Sequence, residues 1–485
     1  NNTLDFIGVK NNVTGFNVGI SSLCCVILIK EREDLLASYA NNFIERYTSE
    51  SLLDELIDTG VKVNDGFAAI LQQIEQEELV SVDEKDSYHS KNMSSILVQL
   101  FDLVYPTMKG LLLIAYFIQT VEEVYSERKS LQEAVNQVNQ VLKSQGVAID
   151  LKQLSKKYRT CVNQLSLQIP QSNINDTNNA FISVLSKRSI QREKTLRFIY
   201  NKMQEQGGLP VLSLNNKYLN QIINKIASST SDLSEIILSD VGMISNILKI
   251  VNQKRKSKSV LTVSHAIMLL GHEQLHKIIK DFKSIDIVTD ADQKKELEMI
   301  FLSSYMGKTI TENFAKKKEV KDIEEVIIGS MLHNLGQMIV LYYHPEAYFK
   351  IKKLMKQRKK NKRKASREIL GITYDNIGIH FARQWNFHFL TIESLRVCYF
   401  NRVGKTKENL MINLPFCSNE LCAFSGGVLD GMHKIRLKEL INSLNMFSKD
   451  ILSFIEQSWV DVTFFSKKHN IEINRRLLAQ ISATG

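Results

Sequence analysis

The stretch Gly329-Ser-Met-Leu-His-Asn-Leu-Gly336 places a polar His-Asn pair inside an apolar segment. Together with Ile328, its apolar residues Met331, Leu332 and Leu335 recur at intervals of three, four and seven, which puts them on one face of an α-helix. A helix with one apolar face buries that face in the core of a domain. The stretch therefore predicts a core helix that carries a histidine.

Helical periodicity continues on both sides of this stretch, for example in residues 244–251 and 263–270. The 485 residues include only 21 Gly and 5 Pro, too few turn signals for a large β architecture. We therefore predict an all-α fold. One short β element is possible near residues 16–29, where alternating apolar residues and the run 23–29 suit a buried strand or a core helix equally well.

The composition, with 44% apolar and 24% charged residues, is that of a folded soluble protein. The most apolar segment, 96–118, is interrupted by Gln99, Asp102, Pro106 and Lys109, so we expect a buried helix and no membrane span. The six Cys show no paired spacing, which fits a reducing cytoplasm. A heptad-like seam over 117–142 predicts one bundle helix, and the oligomeric state stays open.

The chain divides into three predicted parts. Residues 1–185 form a helical region that ends in a polar linker at 168–179, which contains Pro170. Residues 186–405 form the domain around Gly329–Gly336, and residues 406–485 form a helical C-terminal extension.

Four stretches between residues 190 and 405 resemble, in order and spacing, the HD-related output domain, HDOD. The residues that carry the resemblance are Leu209, Pro210, Asp240, Asn252, Gly271, Gly336, Glu368, Gly371, Gly378 and Trp385. The resemblance implies a multi-helix bundle of the HD superfamily and a bacterial-type cytoplasmic signalling protein. It does not extend to residues 1–185.

HDOD domains are related to HD phosphohydrolases, which need several His and Asp side chains around one or two divalent metals. Here the resemblance retains His333 but puts Asn334 in place of the Asp. The other expected ligand positions fall on Ser303 or Ser304, on Tyr374, and on Cys398 or Tyr399. One imidazole does not make a catalytic metal site. We therefore expect no enzyme activity, no metal and no cofactor, and we expect His333 to be a buried polar residue.

A second motif with metal-binding spacing is His272-Glu-Gln-Leu-His276, with Glu296 as a conceivable third ligand. Gly271 is expected to break the helix directly before it, and no other feature of a zinc protease follows. We predict a surface helix with exposed histidines.

A run of ten basic residues and no acidic residue spans 352–367. These ten account for the whole excess of 62 Lys and Arg over 52 Asp and Glu. The residues that we predict for polyanion contact are Lys359, Lys360, Lys362, Arg363 and Lys364. The run contains no aromatic residue for base stacking, and the competing interpretation is a solvated loop between two helices of the domain.

These observations predict a non-catalytic regulatory protein that binds another signalling protein or its own N-terminal region. An HD-type phosphohydrolase acting on a nucleotide is the first alternative, and nucleic-acid binding through 352–367 is the second. The sequence contains no phosphate-binding glycine motif that would support a nucleotide-driven enzyme.

Overall fold

A computed structural model describes residues 19–38, 46–59, 61, 67–84, 86–105, 110–125, 128–144, 176–223, 229–253, 259–320, 323–358, 361–395, 407–425 and 446–482. The described residues are almost entirely helical, which confirms the predicted all-α class. The chain forms two compact units, residues 1–118 and 119–485. This division falls before the predicted boundary at 185–186, and the three sequence-based domains stay predictions.

The first unit contains four helices and one small sheet among its described residues, and a fifth helix crosses the division at 118–119. Their bounds are α1 Ile20–Ser38, α2 Ser49–Thr59, α3 Phe67–Gln76, β1 Val80–Val82, β2 Tyr88–Ser90, α4 Asn92–Val104 and α5 Leu111–Tyr125. The two strands are antiparallel, with Val80 opposite Ser90.

The possible β element near 16–29 is wrong for the residues from Ile20 onward, which lie in α1. Every residue from 22 to 29 is buried, so this part of α1 is covered on all sides. A helix buried all round has no polar face, which is why its sequence shows no helical period.

The second unit contains the stretch Gly329–Gly336. Its helices are α6 Leu131–Ser144, α7 Asp176–Gln206, α8 Ser213–Ile223, α9 Thr230–Ile237, α10 Val241–Gln253, α11 Val263–Lys280, α12 Ala291–Lys317, α13 Ile323–Leu332, α14 Leu335–Tyr343, α15 Pro345–Arg358, α16 Lys362–Leu370, α17 Tyr374–Gln384, α18 Phe389–Ser394, α19 Lys407–Ser425, α20 Ser448–His469 and α21 Arg475–Ser482. A short 3₁₀ turn, Ile285–Ile287, precedes α12.

The long helix α12 forms the centre of this unit and packs against α13, α19, α20 and α21. The predicted C-terminal extension is therefore part of the same core as the Gly329–Gly336 stretch. Pro415 lies inside α19, and Gly329 on α13 leaves room for its ring, because a Cβ at Gly329 would lie 2.9 Å from Pro415 Cγ.

Two predicted boundaries differ from the structure. The single helix expected over 117–142 is two helices, α5 and α6, and Arg128 between them donates a hydrogen bond to Asn386 at 2.6 Å. The predicted linker overlaps the start of α7, because residues 176–179 are helical; residues 168–175 lie outside the described part of the chain.

Within the described ranges, no single helix has both the length and the apolar composition of a membrane span. The bent pair α13 and α14 passes the same test by length and composition alone, and most of its residues are buried in the second unit.

Candidate functional site: the cleft around His333

Three of the residues that carry the family resemblance hold the start of the domain together. The Asp240 carboxylate accepts the backbone N–H groups of Leu212 at 2.7 Å and Met243 at 3.0 Å. Burial raises the pKa of Asp240 to about 7. The Asn252 side chain both donates to and accepts from the backbone of Val260, so it joins the end of α10 to the next segment. Leu209 is bound through its backbone to Asn246.

Glycines in the same set allow close backbone contact or special conformations. A Cβ at Gly336 would lie 1.7 Å from the Tyr374 carbonyl oxygen, and one at Gly378 would lie 3.0 Å from Gly336 N, so α14 and α17 touch through bare backbone. Gly371 ends α16 with a φ of 72°. Gly271 has a φ of 69° inside α11, and this is the helix break predicted there.

The remaining members of the set occupy ordinary positions. Trp385 is buried beside Phe381 and Phe387, with ring centroids 6.0 and 5.6 Å away. Pro210 approaches α10 through its carbonyl, beside Gly242. Glu368 is exposed on α16.

Of the positions that the resemblance assigns to an HD site, His333, Asn334 and Tyr374 meet at the point where α14, α16 and α17 begin. The three helix N-termini open onto one cleft with a volume of about 30 Å³. The cleft is lined by His333, Asn334, Gly336, Gln337, Lys362, Arg363, Ser366, Tyr374 and Asp375.

His333 is buried and uncharged in this cleft. Its Nδ1 lies 3.2 Å from the Ser394 carbonyl oxygen, and because a carbonyl can only accept, the proton is on Nδ1. Burial lowers the pKa of His333 to about 4. The remaining ring nitrogen, Nε2, is therefore a hydrogen-bond acceptor at neutral pH.

Asn334 is bound to neutral groups on both sides. Its amide donates to Ser303 Oγ and to Asn419 Oδ1, each at 3.2 Å. Ser303 in turn is 2.7 Å from Ser482 Oγ on α21. Ser304 is also buried, and its hydroxyl has no hydrogen-bond partner among the described residues. Cys398 and Tyr399 lie outside the described residues.

The basic run departs most from the prediction. Its described residues do not form a solvated loop, because 352–358 belong to α15 and 362–367 belong to α16. Lys362 and Arg363, predicted to contact polyanions, are only 9% and 7% exposed. Lys364 is exposed, whereas Lys359 and Lys360 lie outside the described residues. The predicted contact surface is therefore divided between the interior and the exterior of the protein.

The Lys362 ammonium enters the cleft and is bound there. Nζ donates to Gln337 Oε1 at 3.1 Å and to the Ile481 carbonyl oxygen at 2.7 Å, near the C-terminal end of α21. Burial lowers the pKa of Lys362 to about 8, although Glu420 and Asp375 attract its charge. Arg363 donates to Asp375 Oδ2 at 3.0 Å.

Gln337 also connects the cleft to the outside of the domain. Its amide donates to the Tyr348 hydroxyl at 3.2 Å, and that hydroxyl donates to Glu296 at 2.9 Å. Glu296 pairs with Lys352, which is partly exposed. Glu296 therefore interacts with Tyr348 and Lys352 and not with the His272–His276 motif.

Sequence reasoning missed Gln337, which lines the cleft, and three residues that hydrogen-bond to Asn334, Lys362 and Ser303, namely Asn419, Ile481 and Ser482. Asn419 and Ser482 carry no motif and lie 85 residues from Asn334 and 179 residues from Ser303. The sequence pattern identifies Lys362 only as one of the charges in the basic run. A single signal was present: Lys362 and Arg363 belong to the amphipathic period of a helix in which Ala365, Ser366 and Leu370 are also buried.

The cleft does not fit a divalent metal. The groups that its described residues offer are one imidazole, neutral amides and hydroxyls, and a carboxylate paired with Arg363, next to the Lys362 ammonium. In the part of the chain that the structure describes, no three His, Cys, Asp or Glu side chains are grouped as metal ligands. This includes His272 and His276, whose helix is bent at Gly271 directly before the motif.

An all-α bundle with a polar cleft where three helices begin is the class of domain that these features define. Residues 209–399 match the family model of the HDOD domain. This part of the chain is therefore an HDOD domain, as the resemblance predicted.

Similar proteins are known from sequence and from solved structures. A Treponema pallidum protein described as uncharacterized is 22% identical over 170 residues, which are 34% of this chain and 33% of that protein. The chain thus spans about a third of the length of this curated relative.

Three solved structures are similar to part of the chain. A virulence factor from Campylobacter jejuni is 17% identical, with a TM-score of 0.44, over 57% of this chain and 98% of that one. The MmoQ response regulator from Methylococcus capsulatus is 14% identical, with a TM-score of 0.40, over 51% and 98%. An HDOD domain protein of unknown function from Geobacter sulfurreducens is 13% identical, with a TM-score of 0.35, over 57% and 98%.

Proposed function

We propose that this chain is a non-catalytic regulatory protein of the cytoplasm whose HDOD domain acts by binding. The partner is a second signalling protein or the chain's own N-terminal residues. The observation that supports this function best is the Lys362 ammonium, which lies in the cleft that would have to hold a metal.

An ammonium ion in the cleft opposes metal binding for electrostatic reasons. A buried cation repels a second cation strongly, because the interior screens charge less well than water does. Lys362 cannot swing away without leaving the Ile481 carbonyl and the Gln337 amide oxygen without their donor. His333 alone falls short of the three protein ligands that a catalytic zinc normally has.

The first experiment measures metal content and hydrolysis together. The full chain, purified without chelator and then dialysed, is analysed for transition metals and assayed on cyclic and linear nucleotides. We expect much less than one metal per chain and no hydrolysis. Asn334→Asp, which restores the missing carboxylate, should stay inactive because Lys362 remains. One or two metals per chain together with hydrolysis would establish the phosphohydrolase alternative instead.

The second experiment tests binding to a protein. Full-length chain is used as bait, with chelator present in one sample and nuclease in another. We expect the same protein partner to be recovered in both samples. Recovery of nucleic acid alone, with a steep salt dependence, would support the polyanion alternative. The burial of Lys362 and Arg363 makes that outcome unexpected.

A further inference from the structure

The cleft around His333 is lined by a buried tyrosine whose hydroxyl no described atom satisfies. Tyr374 lines the cleft and is 6% exposed, yet its OH has no hydrogen-bond partner. An unsatisfied buried hydroxyl is unfavourable, so such a group in a cleft indicates a ligand or an ordered water.

The helix that begins at the cleft provides a second, independent set of donors. Leu335, Gly336 and Gln337 form the first turn of α14 and are all buried, and Asn334 before them gives no side-chain cap. The first N–H groups of a helix have no partner within it. The neighbouring helices differ, because Asn361 caps α16 and Thr373 caps α17.

The charges around the cleft favour a negatively charged ligand by a small margin. Lys362 and Arg363 supply two positive charges, and Asp375 and Glu420 supply two negative ones, of which Asp375 is paired with Arg363. Three helix N-termini then add partial positive charge at the same point. Lys362 uses two of its three N–H groups on Gln337 and Ile481, which leaves one for a ligand.

His333, in contrast, requires a ligand that donates a hydrogen bond. With its Nδ1–H directed to Ser394, its Nε2 can only accept a hydrogen bond. A ligand that satisfies the whole cleft must therefore be an acceptor toward Tyr374, Lys362 and α14, and a donor toward His333. A protonated oxyanion has both properties, whereas a fully deprotonated one such as sulfate lacks the donor.

We propose that this cleft binds, without a metal, a small protonated oxyanion: hydrogen phosphate, or a phosphate monoester in its singly protonated form. The size agrees, because one water needs about 10–15 Å³ of the space open to water centres, and the cleft has about 30 Å³. This inference rests on the proposed non-catalytic function and names a ligand for it.

Titration calorimetry on the full chain, with chelator present throughout, tests the proposal. Inorganic phosphate, glycerol phosphate and sulfate are titrated in parallel. We expect at least one of the two phosphate ligands to bind. The affinity for sulfate should be at least about tenfold lower, which is the effect of losing one hydrogen bond. Binding of glycerol phosphate alone would identify the ligand as a monoester, and binding of inorganic phosphate would identify the free ion.

Two matched tyrosine variants locate the binding. Tyr374→Phe removes only the unpaired hydroxyl and should lower phosphate affinity about tenfold without loss of thermal stability. Tyr343→Phe is the control, because its hydroxyl donates to Gly207 and Tyr343 does not line the cleft. This variant should bind phosphate like the unaltered chain.

Several results would overturn the proposal. The first is an affinity for sulfate equal to that for phosphate. The second is a phosphate affinity that is unchanged in Tyr374→Phe but lost in a surface variant with Lys350→Ser and Lys353→Ser. The third is no binding of either phosphate ligand. The last result leaves the non-catalytic function standing if the protein also carries no metal. Binding that appears only when Mn²⁺ replaces the chelator would instead reject the non-catalytic function itself.

Discussion

The Asp240 region and the His333 cleft both bury polar side chains in the second unit, but they satisfy them differently. Around Asp240 and Asn252, each oxygen or nitrogen named above meets a backbone group at hydrogen-bonding distance. In the cleft, the Tyr374 hydroxyl has no hydrogen-bond partner among the described residues, and the start of α14 has no side-chain cap. Complete satisfaction is typical of a structural role, and incomplete satisfaction is typical of a site that binds something else.

The largest effect should come from Asp240→Ala. The change leaves two buried backbone N–H groups, on Leu212 and Met243, without an acceptor, and we expect a loss of about 3 kcal/mol in urea unfolding. Asp232→Ala is the control, because Asp232 is the exposed N3 residue of the capping box that begins at Ser229, and its loss should cost much less than the loss of Asp240. Equal losses in the two variants would remove the distinction between buried and exposed polar groups on which the comparison depends.

The second prediction concerns pH and Lys362. Its pKa is about 8 in the folded chain against an ordinary 10.5. Between these values the unfolded chain keeps a proton that the folded chain has lost, so stability from this group rises with pH. We expect a rise on the order of 2 kcal/mol from pH 8 to 10.5.

Lys362→Met should abolish that rise, whereas Lys356→Met, which removes an exposed lysine, should keep it. The measurement is the free energy of unfolding of each variant at several pH values, compared with that of the unaltered chain. If the three curves stay parallel, the Lys362 ammonium is not buried as described.

A smaller effect distinguishes the two tyrosines in stability. Tyr343→Phe loses the hydrogen bond to Gly207 and should cost about 1 kcal/mol. Tyr374→Phe loses no protein partner, so in phosphate-free buffer its midpoint of thermal unfolding should match or exceed that of the unaltered chain. A clear destabilisation by Tyr374→Phe would mean that the protein itself satisfies this hydroxyl.

The smallest effect should come from the exposed part of the basic run. Replacing Lys353, Lys356 and Lys364 with Ser should change stability by less than about 0.5 kcal/mol each. The double variant Lys362→Ser, Arg363→Ser should lose several times more stability. Its two acceptors, Gln337 and Asp375, would stay in the protein without these donors. Similar losses in the two sets of variants would show that the whole run is docked on the protein.

Local patterns in the sequence were sufficient for most of the helices. The apolar spacing around Ile328 and Leu335 predicts one buried helix, whereas the structure has two there, α13 and α14, with His333 in the turn between them. The pattern includes Arg128 as a polar interruption of the seam over 117–142. It did not show that the helix is divided there, because the partner of Arg128, Asn386, lies 258 residues away.

The cleft was predictable only in part for the same reason. The motifs place His333, Asn334 and Tyr374, which do line it. They give no sign of Asn419, Ile481 or Ser482, whose contacts depend on tertiary structure alone. A run of like charges normally indicates a solvated surface, so burial of Lys362 and Arg363 required knowledge of the carboxylates and carbonyls that α17 and α21 bring to them.

The hydrogen bond between Lys362 and Ile481 also bears on the order in which the protein is made. The ribosome adds 119 positions after Lys362 before the carbonyl of Ile481 exists. Domains begin to fold while synthesis continues, and contacts distant in sequence form last. The nascent HDOD core therefore lacks this acceptor for Lys362 until α21 has been synthesised, so the cleft takes its final form only after the other helices around it are available.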